Sequence, residues 1–150
     1  RCSVQKCVYL HDKPMDKVVL DTNVLLVSIS TKSKLHWIFR SLLDGEYILC
    51  LTTDILMEYA EIIGQRMGAF ARENALGAIE NLPNVEFITR YYKFNLLNDP
   101  DDNKFVDCAI AANATYLVTH DSDFKLLKNV EFPRVVVLDT QEFSGKLRKP

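Results

Sequence analysis

The feature that most constrains this chain is the alternation of short β-branched runs with stretches of helical periodicity. Val18–Leu20 predicts a strand ending at Asp21, and a helix follows near Leu35 to Leu43. Tyr47–Thr52 predicts the next strand, then come helices over Ile55 to Arg66 and near Ala69 to Ile79. A weak strand over Val85–Thr89, a helix after Pro100, and strands over Tyr116–Thr119 and Arg134–Leu138 complete the series. Alternation of this kind predicts an α/β fold of three layers, a central parallel sheet with helices on both faces. Turn signals fall between the elements, with Asp44-Gly45 before the second strand and Pro83-Asn84 before the third.

A chain of 150 residues suits one domain, which at this size buries roughly 70% of the surface its unfolded form exposes. Positions 1–14 (RCSVQKCVYLHDKP) lack periodicity, and Met15 opens a segment that reads like the start of a domain. Positions 1–14 are therefore expected to be a leader or upstream extension. Positions 15–150 are expected to form the domain, with a basic, loose tail in GKLRKP.

The net charge of -2 gives no general attraction to nucleic acid or anionic membrane, so a polyanion must bind through a local basic patch or through bound cations. Cys50 and Cys108 sit in apolar runs, where a reduced cysteine behaves as a small buried hydrophobe, and Cys2 and Cys7 lie in the leader. There is no C-x-x-C pair and no cysteine at zinc-ligand spacing from a histidine. That usage predicts a reducing compartment, the cytoplasm. No apolar run reaches the length of a membrane span, and the first residues lack a secretion-signal pattern.

In open parallel sheets ligands bind beyond the carboxyl ends of the strands. Asp21 and Asp121 both stand there, directly after VVL and just past YLVT. Each could instead be a helix cap or turn former. Glu58 lies at the margin of an apolar arc made by Ile55, Leu56, Tyr59, Ile62 and Ile63, whereas Glu61 points further into solvent. In DPDDNKFVDCAIA, Asp99 has the form of an N-cap, with Pro100 first in the helix and Asp102 third. The helical wheel puts Asp102 in the middle of the inward face with Phe105, Val106 and Ala109, and puts Asp107 on the outer flank as an accessory. A carboxylate on an inward face is costly unless paired or bound to a cation.

Two carboxylates about 4 Å apart repel by roughly 4 kcal/mol at an effective dielectric near 20. A cluster of them must keep protons or bind a cation, and oxygen-only ligands favour Mg²⁺ or Mn²⁺ over zinc. His11, His36 and His120 offer no second histidine at metal-ligand spacing.

Taken in order, VVLDTNVLL, TTDILMEYAEII and DPDDNKFVDCAIAANATYLVTHDSDF resemble the PIN-domain nucleases, most closely the bacterial, VapC-like branch of toxins from toxin–antitoxin pairs. The resemblance spans Met15 to about Leu138. It implies a PIN-like α/β/α fold and a Mg²⁺- or Mn²⁺-dependent ribonuclease whose acidic positions are Asp21, Glu58, Asp102 and Asp121. Asn23 and Thr119 match the polar residues that support the cluster, and Asp123 is a further accessory. Asn103 stands where many relatives carry an acid, which leaves the third ligand open among Asp102, Asp99 and Asp107. His120 fills a position that relatives often give to Gly or Arg, where an imidazole could contact phosphate or simply lie exposed. By the same resemblance the partners are RNA, a small antitoxin that blocks the acidic centre, and a second copy in a homodimer.

An RNA backbone needs cationic or stacking contacts, for which Arg40, Arg66, Arg72, Arg90, Lys104, Trp37, Tyr91 and Tyr92 are candidates. The rival of another class is a catalytically silent RNA-binding or antitoxin-binding module on the same fold. An aspartate-dependent phosphatase wants a second acid two residues after Asp21, where the chain has Asn23. A receiver domain wants a lysine after a late strand, and a dinucleotide-binding domain wants G-x-G-x-x-G; the sequence offers neither.

Overall fold

A computed structural model describes the chain at positions 9–10 and 13–148, and the side chains from position 14 onward. Cys2, Cys7, His11 and most of the expected leader lie outside the described residues, as does the end of the tail at positions 149–150. Tyr9–Leu10 (β1) and Lys13–Pro14 (β2) form a small antiparallel pair.

The central sheet has five strands, all parallel: Lys17–Leu20 (β3), Ile48–Leu51 (β4), Val85–Phe87 (β5), Tyr116–Val118 (β6) and Val137–Leu138 (β7). Their order is β5-β4-β3-β6-β7. Val18, Val19 and Leu20 are all fully buried. Successive side chains of a strand point to opposite faces, so both faces of the sheet are covered, as the unbroken apolar runs require. Cys50 and Cys108 are buried free thiols of this core, and burial pushes the Cys50 thiol up to about 12. Among the described residues no helix is long and apolar enough to cross a membrane.

The strand order places a crevice. From β3 the chain builds outward through β4 to β5, then returns to the other side of β3 as β6 and continues to β7. The order reverses between β3 and β6, and a crevice opens at the carboxyl ends of strands on either side of such a reversal. Asp21 follows β3 directly and Asp121 lies three residues past β6.

Six α-helices are described: Thr22–Ile29 (α1), His36–Leu43 (α2), Thr53–Met67 (α3), Ala69–Asn81 (α4), Pro100–Ala112 (α5) and Thr140–Leu147 (α6). A 3₁₀ helix spans Ser122–Asn129. The expected helices match α2 to α5 within a few residues. α1 was not expected, because TNVLLVSI is apolar nearly throughout and short apolar runs carry no clear period. α5 starts as its sequence predicts, with Asp99 as N-cap and Pro100 in the first turn, and ends at Asn113 in the left-handed region at φ 51°.

The tail differs from expectation. Asp139 and Glu142 form a capping box that starts α6, and the helix runs through Gly145, Lys146 and Leu147. Phe143 is fully buried among Trp37, Tyr47 and Tyr116, with ring centroids 5.6, 5.5 and 6.5 Å away. Arg148 lies 4.8 Å over the Trp37 ring. This aromatic anchor holds segments distant in sequence, so no local pattern announced it. The expected strand over Arg134–Leu138 shrinks to its last two residues, since it pairs at the sheet edge with the three-residue β6.

Candidate metal centre

The end of β3 is fixed from three sides. Asp21 N donates to Val118 O of β6 at 3.0 Å. Tyr59 of α3, fully buried, donates its hydroxyl to Leu20 O at 2.6 Å. Asp21 is the N-cap residue of α1 yet makes no side-chain capping bond. Its Oδ2 instead accepts from Thr119 Oγ1 at 2.7 Å. Thr119 is buried, and the same oxygen accepts Asp121 N at 3.0 Å, so one hydroxyl positions both strand-end residues. Burial pushes the Asp21 carboxyl above the ordinary carboxylate range; the Thr119 bond opposes this, and the nearby Asp121 and Glu58 charges add to it.

Asp102 faces this pair from the first turn of α5. One carboxylate oxygen each from Asp102, Asp121 and Asp123 lie within 4.8 Å of one another. Burial, followed by the charges of Asp99, Asp121, Asp21 and Asp123, pushes the Asp102 carboxyl up to about 6. Asp102 is only partly covered, in the first turn of α5, whereas Phe105, Val106 and Ala109 further along the helix are buried. Asp121 also caps the 3₁₀ helix, accepting Asp123 N at 2.9 Å.

Glu58, at the margin of the α3 core face as expected, stands apart from that group. Its Oε1 lies 2.5 Å from Lys104 Nζ, and its Oε2 accepts the Thr22 hydroxyl. Sequence reasoning missed Thr22, whose only signal was its place beside Asp21. Asn23, the expected support, is exposed and makes no hydrogen bond to the cluster among the described residues.

Three other expected positions do different work. Asp99 spends its carboxylate on capping, accepting Asp101 N at 2.9 Å. Asn103 is buried and clamps Leu97, its Oδ1 accepting Leu97 N at 2.8 Å and its Nδ2 donating to Leu97 O at 2.9 Å. Asp107 is only 2% exposed, which corrects its placement on the outer flank. The irregular segment after β5 wraps over that side of α5, so Asp107 accepts Phe94 N at 3.1 Å and pairs with Arg90 at 3.4 Å. Arg90 also pairs with Asp54 at 3.6 Å. Asn103 and Asp107 thus hold a chain segment, and the acid nearest Asp121 and Asp123 on α5 is Asp102.

The candidate cations are mostly engaged. Arg90 and Lys104 are paired within the fold, Arg40 pairs with Asp44 at 3.8 Å, and Arg72 packs against Gly64. Arg66 is exposed. Of the aromatics, Trp37 packs under Arg148, whereas Tyr91 and Tyr92 are 83% and 74% exposed. His120 is exposed, with Nε2 2.9 Å from Thr140 Oγ1, and His36 Nδ1 lies 2.9 Å from Ser28 O. A pocket of about 440 Å³ adjoins the cluster, lined among others by Asp99, Asp123 and Lys125.

The donor set fits a hard divalent cation. It is oxygen-only, it crowds like charges that a cation would relieve, and Thr119 orients the neighbouring Asp21 carboxylate and holds the Asp121 backbone. The PIN-domain family model matches residues 17–123, a span that contains Asp21, Glu58, Asp102, Asp121 and Asp123. The chain belongs to the PIN-domain family. The PIN fold is also that of solved structures of VapBC2 from Rickettsia felis bound to a DNA fragment from their promoter, and of DNA-bound VapBC from Salmonella typhimurium. The first is 18% identical with a TM-score of 0.57, covering 82% of this chain and 98% of that one. The second is 19% identical with a TM-score of 0.51, covering 84% and 99%. No significant match was found among curated proteins.

Proposed function

We propose that this PIN-domain protein is a Mg²⁺- or Mn²⁺-dependent endoribonuclease, the toxin of a type II toxin–antitoxin pair. The observation that carries the reading is the convergence of Asp102, Asp121 and Asp123, with Asp21 beside them, at the crevice where the strand order reverses.

In this reading Asp102, Asp121 and Asp123 hold the cation. Asp21, oriented by Thr119, completes the negative wall between that group and Glu58. When bound, a divalent ion held there would supply electrophilic polarisation of the phosphodiester and activation of water at neutral pH. No side chain acts as covalent nucleophile, and the buried Cys50 and Cys108 thiols are held protonated. Exposed Tyr91 and Tyr92 offer faces on which single-stranded bases can stack, and Lys125 beside the adjoining pocket offers a phosphate contact.

The likeness to VapBC assemblies supports a small antitoxin as partner, and we expect a homodimer. Phe70 and Met57, 80% and 66% exposed, supply apolar surface for such contacts. We assign the protein to the cytoplasm, where buried Cys50 and Cys108 stay reduced. The test is cleavage of labelled single-stranded RNA with Mn²⁺ or Mg²⁺ added, against the same reaction in chelator. RNA retained without cleavage under every metal condition would favour the silent binding module instead.

A further inference from the structure

Both carboxylate oxygens of Glu58 are engaged by this chain. Oε1 meets the Lys104 ammonium at 2.5 Å and Oε2 accepts the Thr22 hydroxyl. The Lys104 side chain is only 14% exposed, and its Nζ lies 5.7 Å from the centroid of the Phe105 ring, a position unlike that of a freely solvated surface lysine. The oxygens that crowd within ion-binding distance belong to Asp102, Asp121 and Asp123, and Glu58 is not among them. Asp21 is close enough to feel the charges of both Asp121 and Glu58.

We propose that Lys104 is a built-in cation of this centre: its ammonium holds the place beside Glu58 that a second divalent ion would take, so the protein binds one ion, on the Asp102–Asp121–Asp123 side. An ammonium is a compact point charge with three donors, suited to replace a metal among oxygen atoms, and its stem tethers it to the chain. α5 supplies both Asp102 and Lys104, so one helix sets a ligand of the ion and the fixed charge that limits ion number. Lys104 is here a positioning residue, acting through Glu58. The inference rests on the proposed metal centre, and the experiment separates the two.

The test counts Mn²⁺ bound per chain at saturation, by equilibrium dialysis or by the electron paramagnetic resonance signal of free Mn²⁺, without RNA. Wild type and Lys104→Arg should each bind one ion. Lys104→Gln should double the bound Mn²⁺ to two, and adding Glu58→Gln to it should return the count to one. Two ions on the wild-type protein, which needs no variant to fold, would overturn the proposal while leaving the metal centre intact. So would a folded Lys104→Gln protein, shown by circular dichroism, that still binds one. No Mn²⁺ on wild type would remove the metal centre itself and this inference with it.

Discussion

Thr119 Oγ1 donates to Asp21 Oδ2 at 2.7 Å and so joins the ends of the two strands between which the sheet order reverses. The Asp21 carboxylate makes this bond in place of capping α1, and it feels the charges of Asp121 and Glu58. Thr119→Val keeps the shape and removes the hydroxyl, leaving Asp21 and the Asp121 amide each short of a partner. Supporting groups of metal ligands are worth roughly 10–100-fold in affinity or activity. Calorimetric Mn²⁺ titration of Thr119→Val should show a loss in that range, with the fold retained by circular dichroism.

Acid should stabilise the metal-free protein. Asp102 rises from 3.8 to about 6 on folding, chiefly through burial and then through neighbouring carboxylates. Between those values the folded chain holds a proton that the unfolded chain has released, so stability falls as pH rises through this window. Asp21 shifts in the same direction. Thermal unfolding in chelator should therefore give a higher Tm near pH 5 than near pH 7 from these groups. Asp102→Asn should flatten the difference, and saturating Mn²⁺ should raise the pH 7 value most.

Asn103 and Asp107 are predicted to matter for stability and not for the ion. Each is buried and bonded to the segment that runs from Arg90 to Leu97. Truncation to Ala leaves backbone groups or a guanidinium without partners, a cost of about 1–3 kcal/mol each. Urea unfolding should show that loss, while the number of Mn²⁺ ions bound by the folded variants stays as in wild type.

The C-terminal helix is predicted to be integral to the fold. Phe143→Ala empties the space among Trp37, Tyr47 and Tyr116 and should cost about 3–5 kcal/mol. A melting transition unchanged from wild type would contradict this.

What could be read from sequence follows from which forces are local. The apolar runs of β3 and β4 and the periodic faces of α2 and α3 carry their own signal, and strand ends announce where Asp21 and Asp121 stand. Asp99 was legible as a cap because capping is a contact over two or three residues. The burial of Asp107 was not, since the chain that covers it comes from a segment without periodicity. The Glu58–Lys104 pair joins two helices 46 residues apart in sequence (104 − 58), and nothing in either helix alone predicts it. α6 hid behind a basic tail because its anchor, Phe143, packs on aromatics from three other parts of the chain.

The most direct test of the ribonuclease reading compares labelled single-stranded RNA cleavage by wild type and by an Asp21→Asn, Asp121→Asn double variant across a Mn²⁺ titration. The account predicts cleavage that rises with Mn²⁺, stops in chelator, and falls at least about a hundredfold in the variant, the upper end of the loss for supporting groups alone. Cleavage equal in the two proteins, or undiminished in chelator, would contradict it.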